Sequence, residues 1–330
     1  RGLGDVYKRQ VINGDTTINV DTGANSGINL SGNKEISLAA SASDAAVTIK
    51  VNGQKSVGDV RYGIRISNGA KINLSDLNII SEDKTGDVNG IYASASEINI
   101  NNLNVDVNGN SIYGVNIYNG SQMNVAGNMM IAVKGDTVPS SGIRGVTVNS
   151  ASGVLNVQGD LIIKAESDQR GYGIYNTSGG KLNVAQNTYI TTIGETGHAI
   201  FSASNNDAGK IGLSGNLNID SYGDKSYGIR VIGGTVDVQK NTVINMYGNN
   251  TSGIHTSKDG NGLVEGVIDL HGDTIIKAEG NGNKGIYAST GLITMDGKGY
   301  LQMDGNKSYG IYVDNGGKVV LNGGVSISRQ

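Results

Sequence analysis

The stretch "SYGIRVIGGTVDV" (226–238) and the stretch "SYGIYVDNGGKVVL" (308–321) are two copies of one phrase. Each runs Ser-Tyr-Gly-Ile, then a few residues, a glycine pair, and an alternation of apolar with polar residues. Taking the glycine of the phrase as an anchor, the pattern recurs at Gly27, Gly63, Gly90, Gly114, Gly142, Gly173, Gly228, Gly253, Gly285 and Gly310, with Ala199 in the same role. The gaps between anchors run from 24 to 36 residues, a repeat length that signals a solenoid.

Reading outward from the anchor, the next residue is Ile28, Ile64, Ile91, Val115, Ile143, Ile174, Ile200, Ile229, Ile254, Ile286 or Ile311, β-branched in every copy. About ten residues on comes apolar-x-apolar, as in Ile72/Leu74, Ile98/Ile100, Leu182/Val184 and Val236/Val238. The residue between is often Asn or Asp, as at Asn73, Asn99, Asn124, Asn156, Asn183, Asp237 and Asp269. A third alternation follows, as in "LNI" (77–79), "LNV" (103–105), "LNI" (217–219) and "VSI" (325–327). Each repeat therefore holds three short period-2 strands separated by glycine-bearing corners, with no helical spacing between them. Three strands per repeat predict an all-β, triangular parallel β-helix of about eleven coils, each strand pairing with its equivalent one coil away. At one strand separation per coil the rod is roughly 50 Å long. The glycines are expected at the corners, where positive φ or close backbone approach is needed. Length variation is expected at one corner, just before the anchor, as in "EDKTGDVNG" (82–90) against "GNKSYG" (305–310).

Composition agrees with a ladder rather than a globule. The chain has 330 residues, 52 of them glycine, one proline, no cysteine and no tryptophan. The absence of cysteine excludes a disulfide framework and thiolate metal sites. A net charge of −3 without a basic stripe gives no footprint for nucleic acid. No apolar run reaches the length of a membrane span. The opening "RGLGDVYKRQ" (1–10) has no apolar signal core and fits no repeat, so it is set aside as a non-native leader. Residues 11–330 are expected to form a single solenoid, truncated at both ends of a longer protein.

The repeated G-I-x-x-x-x-G-G-x-[IVL]-[ND]-[VL], with its Gly/Asn/Ser/Thr richness and no cysteine, resembles the passenger region of bacterial autotransporters, including pertactin-like adhesins. The resemblance covers nearly everything after residue 11. It implies a right-handed parallel β-helix exported to the surface of a Gram-negative bacterium. An anchoring outer-membrane β-barrel would lie outside this segment.

The function expected on this basis is a non-enzymatic surface stalk or adhesin segment, either outer-membrane-anchored or secreted, whose partners are host-surface or matrix glycans and proteins. The competing class is an extracellular polysaccharide-degrading β-helix of the pectin-lyase kind. Two residues past the anchors come Asn29, Arg65, Tyr92, Asn116, Arg144, Tyr175, Phe201, Arg230, His255, Tyr287 and Tyr312. Arg65, Tyr92, Arg144, Tyr175, Phe201, Arg230, His255, Tyr287 and Tyr312 form the candidate ligand-binding stripe, facing outward along the rod. One reading makes it a shield of side chains stacked on each other. The other makes it a contact surface, since rigid aromatics and arginine are what interfaces use. A second column, Tyr62, Tyr113, Tyr172, Tyr227 and Tyr309, precedes the anchors and shares the parity of the isoleucines.

No catalytic residue, metal or cofactor is expected. His198, His255 and His271 fall at three different offsets and are not expected to converge. "KDGNG" (258–262) lacks the alternating acids and distal glutamate of a calcium loop and reads as a turn. Glycan cleavage needs two carboxylates across the scissile bond, and the outward stripe contains none. Two residues further along only Asp314 appears, while Glu82, Asp83 and Asp87 fall in a variable loop.

Overall fold

The computed structural model describes residues 10–12, 15–20, 26–40, 46–51, 60–81, 86–110, 112–135, 142–204, 209–258 and 264–329. Among these there is no helix. The strands form three parallel sheets in which hydrogen-bonded neighbours are every third strand in the chain. Sheet I has 11 strands, from Ser26–Ser31 to Tyr309–Val313, and carries the anchors. Sheet II has 12, from Gln10–Ile12 to Lys318–Leu321, and sheet III has 12, from Thr16–Val20 to Val325–Ser328. This is the three-sided β-solenoid, with ten stacking steps along sheet I. Residues 1–9 lie outside the described part, and Gln10 opens the first strand of sheet II.

Register holds the fold together. Ile64 faces Ile91 across sheet I, and the column continues through Val115, Val146, Ile174, Ile200, Ile229, Ile254 and Ile286. All of these are fully buried, and Ile28 is 8% exposed. Ile311, in the last coil, is half-buried because no described coil covers it. One anchor has to be moved. In "SGIRGVTV" (141–148) the residue that joins the column is Val146, not Ile143, so the anchor is Gly145 rather than Gly142. Two Gly-x pairs three residues apart both fit the motif, and pairing with the neighbouring coils decides between them. Arg144 therefore leaves the stripe for the column before the anchors, and Thr147 takes its place.

The anchor glycines sit inside the strands of sheet I, not at corners. Gly63 lies within Val60–Ser67, where both Gly63 and Ile64 are buried and their flanks Tyr62 and Arg65 are not. Two consecutive inward residues break the period of two. They fit only because a Cβ on Gly63 would lie 2.6 Å from the carbonyl oxygen of Gly90 and 2.6 Å from Cγ2 of Ile79 on sheet III. Close approach, rather than a left-handed φ, requires glycine there. The parity break also turns the residues before the anchors outward. Tyr62, Tyr113 and Tyr227 accordingly stand beside the stripe and do not share the side of the isoleucines. Positive φ falls at the corners instead: at the III–I corner, as at Gly194, Gly223, Gly280 and Gly305, and at the I–II corner, where Asn68–Gly69, Asn119–Gly120, Ser178–Gly179 and Asn315–Gly316 have both φ values positive. That is the signature of a type I′ turn.

Corner lengths differ from the expectation as well. The III–I corner varies, and so does the I–II corner, which spans Ala203 to Lys210 in one coil and Ser257 to Gly266 in another. The II–III corner keeps one length in the eight coils from Val125/Met129 to Leu321/Val325. A ladder of side-chain acceptors holds it. Backbone N–H groups of Asn128, Asp160, Asn187 and Asn216 each donate to the side-chain Oδ1 one coil earlier, at 2.8–3.1 Å. On sheet II the second ladder is amide to amide: Asn99, Asn124, Asn156 and Asn183 each donate Nδ2 to the Oδ1 of the preceding asparagine at 2.9 Å.

Two stability outcomes follow. Ile229→Asp places an uncompensated charge in a fully closed column and is expected to cost several kcal/mol, about 4 or more, measured as a lost or lowered denaturation midpoint. Asn124→Ala removes one rung and leaves its neighbours open to water, so the same measurement should show a loss of only about 1 kcal/mol.

Candidate functional site

Sheet I presents two outward columns side by side, one on either flank of each Gly-Ile pair. The column before the anchors reads Tyr62, Asn89, Tyr113, Arg144, Tyr172, His198, Tyr227, Ser252, Lys284 and Tyr309. The column after them reads Arg65, Tyr92, Asn116, Thr147, Tyr175, Phe201, Arg230, His255, Tyr287 and Tyr312. Eight of the nine stripe residues expected from sequence thus occupy one line, interrupted at Asn116 and Thr147. Arg144, the ninth, stands one column over and still joins the group. Its guanidinium lies 3.9 Å from the ring centre of Tyr175 and 5.1 Å from that of Tyr113.

The two columns interlock into one seam. Tyr175 stacks on Phe201 at 5.2 Å. Tyr172, His198 and Tyr227 stack in series at 5.0 and 4.9 Å. Tyr227 passes the stack to His255 at 5.4 Å, and His255 lies parallel to Tyr287 at 4.3 Å. Cations close the gaps: Arg230 over Tyr227, and the Lys284 ammonium 4.0 Å from the centre of Tyr287. In the central coils, from Tyr172 to Tyr287, the stacked partners are one coil away, so those ring faces look along the rod and are covered; Tyr62–Tyr92 and Tyr287–Tyr312 meet edge to face instead. What reaches solvent is ring edges, tyrosine hydroxyls and the outer N–H groups of the arginines.

Two of the three histidines converge, contrary to their offsets. His198 stands before its anchor and His255 two residues after, so their offsets differ. The adjacent columns nevertheless bring both onto Tyr227. They are 5% and 6% exposed, and among the described residues no hydrogen-bond partner meets Nδ1 of His198 or either ring nitrogen of His255. Burial, reinforced by Arg230, Arg170 and His255, holds His198 well below the usual imidazole range. Burial, with Arg230 and Lys284 against a smaller opposing effect of Asp314, lowers His255 to about 4. Both rings are neutral in the fold. Burial likewise raises Tyr172.

His271 sits elsewhere, on the sheet II side, with Nδ1 2.7 Å from Asp296 and Nε2 3.4 Å from Asp237. Two carboxylates thus contact this histidine, and Asp269 is the register partner of Asp237 on the neighbouring coil. Asp237 and Asp269 share the Asn/Asp offset of sheet II, whereas Asp296 stands at the position of His271 one coil on, where Thr294 occupies the column. Asp237 is also paired to Lys210 at 2.9 Å, and Asp296 accepts from Asn322 at 2.8 Å. Hydrogen bonds from Asn322 and His271 hold the Asp296 carboxyl below its usual range. Among the described residues no set of three or more His, Cys, Asp or Glu is arranged to hold a metal ion. Glu82, Asp83 and positions 259–262 of "KDGNG" lie outside the described residues. Asp87 opens the strand Asp87–Ser94, and Asp314 accepts from the Tyr287 hydroxyl at 3.3 Å.

Tyr287 stacks on His255, meets Tyr312 edge to face and lies under the Lys284 ammonium. Tyr287→Ser is therefore expected to cost about 1–2 kcal/mol, from one stacked pair and one cation–π contact, measured as a lowered denaturation midpoint. The imidazoles give a pH dependence. Their unfolded value is near 6.5 and their folded values are lower, so the unfolded chain takes up protons first. Stability is complete above about pH 6.5 and falls as pH drops toward 4, by on the order of 3 kcal/mol for His255 alone. Denaturant midpoints measured from pH 7.5 to 4.5 should fall in this window for the natural chain, and the slope should flatten in a His198→Phe/His255→Phe variant.

Comparison with known proteins places no relative beside this chain: no family model, no curated protein and no solved structure matches it.

Proposed function

We propose that this chain is a non-enzymatic β-helical stalk or adhesin segment, displayed at the surface of a Gram-negative bacterium as in the autotransporter passenger regions its repeat resembles. The observation that carries the reading is how the outward side chains are used. The asparagine ladder of sheet II, the side-chain acceptors of the II–III corner and the stacked seam of sheet I all bind the next coil. Surface chemistry is thus directed along the rod, as a spacer requires. An adhesive role falls to the seam. Along its central coils a ligand would meet hydroxyls and guanidinium edges, since the stacked ring faces there are covered, so it would be an extended glycan or peptide held mainly by hydrogen bonds.

The competing reading, a polysaccharide-degrading β-helix, draws on Asp237, Asp269 and Asp296 around His271. Glycosidic cleavage by a general acid needs a carboxyl that keeps its proton near neutrality. Asp296 is pushed the other way, and Asp237 is bound to Lys210 and to His271. Pairing of this kind supports a structural use of the cluster.

Two measurements test the proposal. Incubation with polygalacturonate and other surface polysaccharides should release no reducing ends or unsaturated uronates above the blank. Turnover that disappears in Asp237→Asn or Asp269→Asn would sink the non-enzymatic reading. On an array of glycans and matrix proteins, a folded Tyr175→Ser/Phe201→Ser/Tyr287→Ser variant should lose most of the signal of the natural chain. Equal signal from both leaves the spacer role alone.

A further inference from the structure

The asparagine ladder of sheet II stops at one place. Each amide from Asn99 to Asn183 donates to the carbonyl of the coil before, which leaves the Oδ1 of Asn183 as the acceptor for the next rung. The next rung is Gly212, and beyond it the column continues as Asp237 and Asp269, which at neutral pH only accept. No described side chain donates to Asn183 Oδ1. The gap opens into a groove of roughly 280 Å³ that runs along the II–III corner, lined among others by Gln158, Asn183, Lys210, Ser214, Asp237 and Gln239. A Cβ placed on Gly212 would lie 3.4 Å from Asn183 Oδ1 and 3.8 Å from Lys210 Cε, in open contact with both. The gap is therefore the size of a short amide side chain, with an acceptor on one wall and an ammonium on another.

The electrostatics of the gap are specific. A row of amides hydrogen-bonded head to tail polarises itself, so its last free carbonyl is a stronger acceptor than an isolated one. Lys210 is oriented by its 2.9 Å pairing with Asp237, which leaves ammonium protons for a second acceptor. A group that donates one N–H and accepts one hydrogen bond through a carbonyl satisfies both walls. That group is a carboxamide, the unit the ladder itself lacks at this coil. The groove lies at the small end of ligand sites, which run from about 300 Å³ upward, so it admits one ring bearing such a group.

We propose that the Gly212 gap is a binding subsite for the acetamido group of an N-acetylated amino sugar. Its N–H donates to Asn183 Oδ1 and its carbonyl accepts from Lys210 Nζ, while the ring hydroxyls meet Gln158, Gln239 and Ser214. The subsite is separate from the sheet I seam and does not depend on the seam binding anything. Ligand-observed NMR titration of the full chain with N-acetylglucosamine, glucose and N-acetylglutamine amide tests it. N-acetylglucosamine should bind, in the millimolar range for one residue, and at least tenfold more tightly than glucose. Gly212→Asn should reduce that binding tenfold or more while keeping the β-sheet spectrum, with an equal or higher melting temperature, because the asparagine fills the gap and continues the ladder. Asn183→Leu, at an exposed position, removes the acceptor by another route and should lose the same binding. Absence of binding to the natural chain, equal binding of glucose, or unchanged binding in the two folded variants overturns the proposal. A response to the glutamine derivative alone also overturns it, by giving the gap to a protein side chain.

Discussion

Parallel pairing of each strand with its equivalent one coil away is the constraint on which everything else in this molecule rests. It fixes the register, so that position n of one coil lies one strand separation from position n of the next. A side chain that suits its place must then also suit a copy of itself, and like residues collect into columns. The isoleucine column of sheet I, the Ile/Leu pairs of sheet II and the Leu/Ile rows of sheet III close the interior without a single large aromatic anchor. Glycine enters the same logic from the other side: at Gly63 and its equivalents the neighbouring backbone and a facing apolar side chain, such as Ile79, come too close for a Cβ.

The outside obeys the constraint as strictly as the inside. Amides stack into hydrogen-bonded rows, corner carbonyls of Asn and Asp receive backbone N–H groups, and rings lie face to face. Each of these contacts is modest, about 0.5–1.5 kcal/mol. Their repetition in every coil makes the structure quasi-one-dimensional, with each coil stabilised mainly by its two neighbours. A coil held on both sides in this way resists local opening. Stacking also decides what the surface offers a ligand. Ring faces satisfied by the neighbouring coil leave edges and hydroxyls, and an interrupted ladder leaves a gap of defined chemistry, as at Gly212.

The buried histidines show the same rule under tension. His198 and His255 fill ring positions in the seam, where their flat shape suits Tyr227 and Tyr287. Their nitrogens find no partner there, and Arg230 stands close to both. Shape is satisfied and charge is excluded, so the seam holds only while the imidazoles stay neutral.

The sequence by itself determined the repeat, the three strands per coil, the inward isoleucine column and the outward line from Arg65 to Tyr312, because each depends on residues at fixed local spacing. It did not determine which of two glycines anchors the coil of "SGIRGVTV", since Gly142 and Gly145 satisfy the same short motif. Only pairing with the coils on either side chose Gly145. Nor did it reveal that the tyrosines before the anchors point outward, because the parity break at Gly-Ile exists only where sheet III crowds sheet I. His198 and His255 have different offsets and become neighbours through adjacent columns on one face. The acids around His271 converge across coils in the same way. Spacing along a chain is a one-dimensional quantity, and these contacts are set by the distance between strands, which belongs to the folded stack.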